Sequence, residues 1–133
     1  MSVLLEKPLM IADFQQVRSQ TEDLCVPLEI EDYQVQPMAD ASPPKWHLAH
    51  VTWFFETFVL AKFSPNYQVF KPSYHHLFNS YYNGVGSAFP RDSRGHLSRP
   101  TVAEIYEYRK HIDEGVLNLL ETSSNPEISF RVT

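Results

Sequence analysis

The feature that most constrains the fold is a long apolar and aromatic segment that begins after a serine and two prolines. Ser42, Pro43 and Pro44 are typical of a helix start, because a hydroxyl can cap free backbone amides and a proline in the first turn loses no helical hydrogen bond. From there to Lys62 most positions are apolar and only three are formally charged. A helix that is apolar on most of its surface belongs in the centre of a core. The sequence therefore predicts a central helix over residues 43–62.

Two further helices are predicted from apolar residues at helical spacing. The first covers residues 10–25, where the apolar repeat continues until shortly before Pro27. The second covers residues 101–121, and Thr101 with Glu104 three residues later is a capping box at its start. Together with the central helix, these segments predict an all-α fold.

The connections between the helices are long and rich in residues that interrupt regular structure. Residues 26–44 contain four prolines without clear periodicity and predict a loop, and residues 63–100 carry three of the four glycines. Within the second connection, residues 74–82 fit either a short helix or an ordered loop. A connection of this length is a reason to suspect function. After the last long helix, residues 125–127 (NPE) predict the start of another helix.

Length, cysteine content and charge exclude several classes of protein. A chain of 133 residues with one cysteine suits a single domain and cannot form an internal disulfide or a zinc site built on cysteine pairs. It has no long uncharged apolar run and no signal-peptide pattern, so we expect a cytoplasmic protein with no membrane partner. The net charge of −5 includes five basic residues and one acidic residue in positions 62–100. This short basic segment favours a small anionic ligand over a nucleic acid.

Histidines on the central helix are the first candidate site residues. His47 and His50 lie three residues apart and share a helix face, as metal ligands often do. Two imidazoles alone leave a site incomplete, because a catalytic metal normally has three protein ligands. Alternatively, these are core histidines bonded to a backbone carbonyl or to an acid such as Asp40. His75 and His76 are consecutive, so on a helix they cannot easily chelate one ion.

Arginines in the basic segment are the second set of candidates. Arg91, Arg94 and Arg99 lie close together between loop-forming residues. Arginine suits the bidentate binding of a carboxylate or phosphate, and a loop can direct two guanidinium groups at one anion. The alternative interpretation is that they are solvated charges or partners of the acidic helices.

Three separated stretches also carry a family resemblance. They are residues 40–58 (DASPPKWHLAHVTWFFETF), 77–83 (LFNSYYN) and 91–102 (RDSRGHLSRPTV). In this order they resemble the N-terminal DinB-like domain of the ergothioneine-biosynthesis sulfoxide synthases, which are non-haem iron enzymes. The resemblance covers most of residues 20–120. It implies a DinB-like four-helix bundle over residues 1–133, incomplete here, with a long ordered loop between the second and third main helices.

The resemblance also implies a site and a reaction. The family holds iron(II) with three histidines, one from the helix that matches the His47 to His50 segment, and by that match His50 is the ligand. The family's Arg-x-x-Arg pair, which receives a carboxylate of the thiol substrate, is similar to Arg91 and Arg94. The reaction uses iron(II) and dioxygen to join a thiol, cysteine or γ-glutamylcysteine, to trimethylhistidine as a sulfoxide. Relatives use histidine itself as the acceptor, or a selenium donor.

The sequence also departs from the family pattern. The family's other two iron ligands form a His-x-x-x-His motif, which this sequence lacks, and its C-terminal domain, similar to the formylglycine-generating enzymes, is absent. We therefore expect the N-terminal part of such an enzyme, inactive alone and unable to complete the iron site. An incomplete bundle should expose apolar surface, so a homo-oligomer is expected. The alternative is a non-catalytic helical module that binds a partner.

Overall fold

Three long helices and one short helix form the framework of the chain in a computed structural model, which describes residues 3–79 and 89–123, with side chains from residue 8 onward. The helices are α1 (Val3–Asp23), α2 (Pro44–Phe55), the short α3 (Ser73–Phe78) and α4 (Val102–Thr122). Over these two ranges the β structure is limited to one isolated bridge between Met38 and Ala41. The all-α prediction is confirmed.

The central helix forms within one residue of its predicted bounds, but its cap and its inner geometry differ from the expectation. The helical path of α2 continues through a π turn (Glu56–Leu60) and one α turn (Ala61–Phe63). The predicted cap by Ser42 is wrong, because Pro43 is the N-cap and no side chain caps the helix. The Ser42 hydroxyl instead accepts a hydrogen bond of 3.0 Å from Arg94. That contact joins residues far apart in sequence, so the local motif cannot reveal it.

The last helix is the most accurately predicted element. Thr101 and Glu104 make the reciprocal capping box at the start of α4, with hydrogen bonds of 3.0 and 3.1 Å. The buried face of α4 packs against both α2 and α1. Gly115 permits this approach, since a Cβ atom there would lie 3.0 Å from Leu60. The bundle core therefore lies between α4 and the central helix α2.

The first helix is longer than its apolar repeat. It begins at Val3, well before the predicted residue 10, and includes Pro8. It ends at Asp23 instead of residue 25, because the amides of Cys25 and Val26 bond three residues back and tighten the chain into turns. Glu6, Lys7 and Pro8 interrupt the apolar spacing in the first turns, so the repeat on which the prediction relied could not mark the true start.

The two long connections contain short helices. Residues 26–44 include a 3₁₀ helix (Ile30–Gln34), and the basic segment contains a second one (Arg91–His96). Of the two alternatives for residues 74–82, the structure shows the short helix as far as Phe78, and Asn79 ends it in extended backbone. The rest of that prediction, residues 80–82, and the expected helix start at residues 125–127 lie outside the described residues. Among the described helices, none combines the length and apolar character needed to cross a bilayer.

Candidate functional site

The predicted metal ligand His50 lies between two tryptophans. Helix α2 places Trp46, His50 and Trp53 on one face, one turn apart, and both tryptophans are buried. The imidazole stacks on the Trp46 ring, with centroids 4.6 Å apart and planes 10° from parallel, and on the Trp53 ring at 5.7 Å and 18°. The ring of His50 is thus enclosed on both faces by aromatic surface.

A backbone carbonyl sets the tautomer of His50. Its Nδ1 atom lies 2.6 Å from the carbonyl oxygen of Phe78, at the end of α3. Because a carbonyl oxygen can only accept, Nδ1 carries the proton and Nε2 keeps its lone pair. Burial lowers the pKa of His50, and the charge of Arg94 lowers this pKa further. The hydrogen bond to the Phe78 carbonyl acts in the opposite direction and raises the pKa. A neutral imidazole with a free Nε2 lone pair is the form that binds a metal.

The remaining described histidines are not gathered around His50. The His47 side chain is exposed over much of its surface and meets Trp46 edge-on, and desolvation of the part of the ring that packs there lowers the pKa of His47, as does the charge of Arg94. His75 accepts a hydrogen bond of 3.2 Å at Nδ1 from the Trp53 indole. Over residues 3–79 and 89–123, no three His, Cys, Asp or Glu side chains form a group able to hold a metal ion. The described part of the chain therefore offers His50 as a single ligand, without the other two.

Arg91 and Arg94 lie three residues apart in the same 3₁₀ helix, where such positions share one side. Arg91 is half-buried, whereas Arg94 is buried. The guanidinium carbon of Arg94 lies 3.6 Å from the centroid of the Trp46 ring. The Gln36 amide fixes this helix by donating to the Arg91 carbonyl and accepting from the Gly95 amide. The structure thus connects the arginine segment to the His50 stack through Trp46.

A small cavity opens beside this stack, between α1 and α2. It has a volume of about 230 Å³, and its lining is mostly apolar, with Val51 and Phe54 among the contributors. His50 and Arg18 are among its few polar lining residues. The cavity is of a size that admits a small molecule, and it adjoins the residue that the resemblance identifies as the metal ligand.

Two buried arginines were not predicted from the sequence. Arg109 donates to the carbonyl of Leu48 (2.9 Å) and pairs with Glu22 (3.2 Å), while Arg18 pairs with Asp113 at 2.7 Å. Burial and the neighbouring Arg109 lower the pKa of Arg18 to about 10. This network joins α1, α2 and α4. The burial of both arginines could have been inferred from the sequence, since each arginine occupies a position on the apolar face of its helix.

A buried carboxylate forms a second unpredicted cluster. Glu56, the first residue of the π turn, accepts hydrogen bonds from the Tyr108 hydroxyl (2.7 Å), the Tyr67 hydroxyl (2.5 Å) and the Phe70 amide (2.9 Å). Burial is the largest cause that raises the pKa of both tyrosines, so they remain neutral donors. The cluster holds the connection after the central helix against α4, one turn from Trp53.

Similarity to known proteins agrees with this architecture. The packed helices, with a neutral histidine enclosed on the central one, define an all-α helical-bundle protein. The family model of the DinB superfamily matches residues 13–133, so the chain belongs to the DinB superfamily. None of the curated proteins compared with the chain is significantly similar to it.

Proposed function

We propose that this chain is the DinB-like part of an iron(II)- and dioxygen-dependent sulfoxide synthase of ergothioneine biosynthesis. The enzyme would act in the cytoplasm and join a thiol, cysteine or γ-glutamylcysteine, to trimethylhistidine. One observation supports this most directly: His50, the residue that matches the family's ligand, is held as the Nδ1–H tautomer by the Phe78 carbonyl. That tautomer leaves Nε2 as the ligand atom.

The described residues fit one third of the expected iron site. Iron(II) would bind Nε2 of His50, and its other ligands would come from outside the described residues. Among residues 3–79 and 89–123, no three His, Cys, Asp or Glu side chains form a group able to hold a metal ion. When bound, iron supplies open coordination positions at which a thiol sulfur and dioxygen can meet. The two tryptophans exclude water from the faces of His50 and keep the ligand neutral.

Arg91 and Arg94 are proposed to bind the substrate carboxylate. They lie on one side of a short 3₁₀ helix in the basic segment of an otherwise acidic chain. The contact of Arg94 with Trp46 places this charge next to the stack that contains His50. A carboxylate bound there would orient the thiol toward the metal, which is how positioning lowers the barrier of a reaction between two bound partners.

A turnover assay of the protein as its gene encodes it tests the proposal. The protein is supplied with iron(II), dioxygen, trimethylhistidine and either thiol, and the sulfoxide is detected by mass spectrometry. We expect product from the unaltered protein, none from His50→Ala, and product from the matched control His76→Ala. Sulfoxide formation by His50→Ala at the unaltered rate would refute the ligand assignment.

Two other functions are separated by the same assay. A related synthase would give product only with histidine as the acceptor or with a selenium donor. A non-catalytic helical module would give no product with any of these reactants. The module is favoured by exposed apolar side chains from the end of α1 to the first residue of the first 3₁₀ helix, namely Leu24, Val26 and Ile30.

A further inference from the structure

The cavity between α1 and α2 has walls that suit an aromatic ring. Phe54 and Phe55 line it from α2 and meet edge to face, with ring centroids 5.9 Å apart. Val17 of α1 and Val51 of α2 add branched aliphatic surface. An apolar cavity of about 150 Å³ is enough to hold a benzene ring. The volume of about 230 Å³ therefore leaves room for one aromatic ring with a short polar group.

Arg18 supplies this cavity with a buried hydrogen-bond donor. The side chain is 4% exposed, and two of its nitrogens are occupied: Nε donates to Asp113 at 2.7 Å and Nη2 donates to Thr52 at 2.6 Å. Over residues 3–79 and 89–123, the third nitrogen, Nη1, has no hydrogen-bond partner. A buried donor without an acceptor costs free energy. A molecule in the cavity that offers an oxygen to Nη1 would remove this cost.

The charges around Arg18 favour an uncharged ligand. Arg18 pairs with Asp113 and Arg109 pairs with Glu22, so two cations and two carboxylates already balance. A ligand carboxylate on Arg18 would add a negative charge next to Asp113, and burial already raises the pKa of Asp113. A hydroxyl or carbonyl oxygen can accept from Nη1 without bringing a charge into an apolar cavity.

We propose that the cavity between α1 and α2 binds a small uncharged aromatic molecule with one oxygen acceptor, of the aryl alcohol class. Phe54 and Phe55 contact the ring of this molecule, and Nη1 of Arg18 donates to its oxygen. Aromatic side chains favour such a ring, because edge-to-face contacts add to the burial of apolar surface. The inference goes beyond the proposed function, since it uses neither a metal nor Nε2 of His50.

The experiment titrates the metal-free chain with benzyl alcohol, toluene and benzoate, and follows the Val51 methyl signals by NMR. These probes share one ring and differ in carrying a neutral acceptor, no acceptor or a charge. Val17→Trp should fill the cavity, and Val17 is 56% exposed, so the larger side chain need not disturb the core. Gln16→Trp is the matched control, because Gln16 is an exposed neighbour outside the cavity lining.

Benzyl alcohol should shift the Val51 methyl signals to saturation. Benzoate should bind at least about tenfold more weakly, because its charge must be buried. Val17→Trp should weaken benzyl alcohol binding by about tenfold or more through the loss of cavity space, and Gln16→Trp should not change it. Arg18→Met should lower the preference for benzyl alcohol over toluene by about tenfold, the effect of one lost hydrogen bond to a charged group. This ratio separates the hydrogen bond from a general change in the cavity.

Four results would overturn the inference or one of its parts. Without a saturable shift by benzyl alcohol, or with unchanged binding in Val17→Trp, the cavity is not the site. Tighter binding of benzoate than of benzyl alcohol would reject the uncharged ligand class. An unchanged preference over toluene in Arg18→Met would reject Arg18 as the anchor.

If Arg18→Met does not fold, Arg18→Lys provides the same ratio. Lysine keeps a positive charge beside Asp113 but has no second terminal nitrogen for the ligand. Because the titration is made on metal-free protein, its failure leaves the sulfoxide assay unaffected. Failure of the sulfoxide assay likewise leaves this binding site unchanged.

Discussion

The buried carboxylate of Glu56 offers the sharpest test of the fold energetics. It is 3% exposed and accepts three hydrogen bonds, from the hydroxyls of Tyr67 and Tyr108 and from the Phe70 amide. Replacing Glu56 with alanine leaves three donors without their acceptor, each at a cost of about 1 kcal/mol or more, so we expect a loss of at least about 3 kcal/mol. Tyr108→Phe removes one bond to a charged group and should cost about 1.5 to 3 kcal/mol.

Urea unfolding followed by circular dichroism at neutral pH measures these losses. The double variant Glu56→Ala with Tyr108→Phe should lose less than the sum of the two single changes, since the two side chains share one bond. Glu114→Gln, an exposed glutamate on α4, is the control and should stay within about 0.5 kcal/mol of the unaltered chain. A loss below about 1 kcal/mol for Glu56→Ala would show that the carboxylate does not hold these donors, against the bond energies assumed here.

The remaining predictions address the buried tyrosines, the core arginines, the substrate contact and the oligomeric state. Burial and the Tyr33 hydroxyl raise the pKa of Tyr106, so the folded state keeps this proton above about pH 10 while the unfolded state loses it. Stability should therefore fall as the pH rises through that range, and urea unfolding of Tyr106→Phe should show a shallower fall of the unfolding free energy with pH. Arg109→Met should cost about 2 kcal/mol or more in the same assay, because it leaves the buried carbonyls of Leu48 and Arg18 without their donor, whereas Lys110→Met at its exposed neighbour should change little. Arg91→Ala should raise the Michaelis constant for the thiol by about tenfold to a hundredfold in steady-state kinetics, and an unchanged constant would mean that Arg91 is only a solvated charge. Light scattering at increasing concentration should detect self-association, and a monodisperse monomer throughout would contradict it.

Elements encoded by neighbouring residues were predictable from the sequence. Helix α4 could be predicted from its apolar spacing and from the capping box of Thr101 with Glu104. The two residues of this capping box lie within one helical turn, so the sequence pattern shows both partners. The start of α2 shows the limit of the same logic. Ser42 has the expected residue type, but its hydroxyl is bound by Arg94, and no local pattern reports a partner 52 residues away.

The candidate site was predictable to a similar extent. The family resemblance singled out His50, and the spacing of Trp46, His50 and Trp53 already places them on one helix face. The burial of Arg94 could not be foreseen, because an arginine in a polar loop is usually solvated and only tertiary packing places it over an indole. Arg109 was detectable in principle, since it lies between Ile105 and Ile112 on the buried face of its helix.

Helix α3 has a consequence for the order of events during folding. It contains six residues, too few to be stable alone in water, and two of its terminal carbonyls accept hydrogen bonds from side chains of α2 that lie 28 and 31 residues earlier. Its formation must therefore accompany or follow the docking of this segment onto the central helix. Substitutions that weaken α3 should accelerate unfolding and leave the refolding rate nearly unchanged, the behaviour of a segment that is unstructured in the transition state.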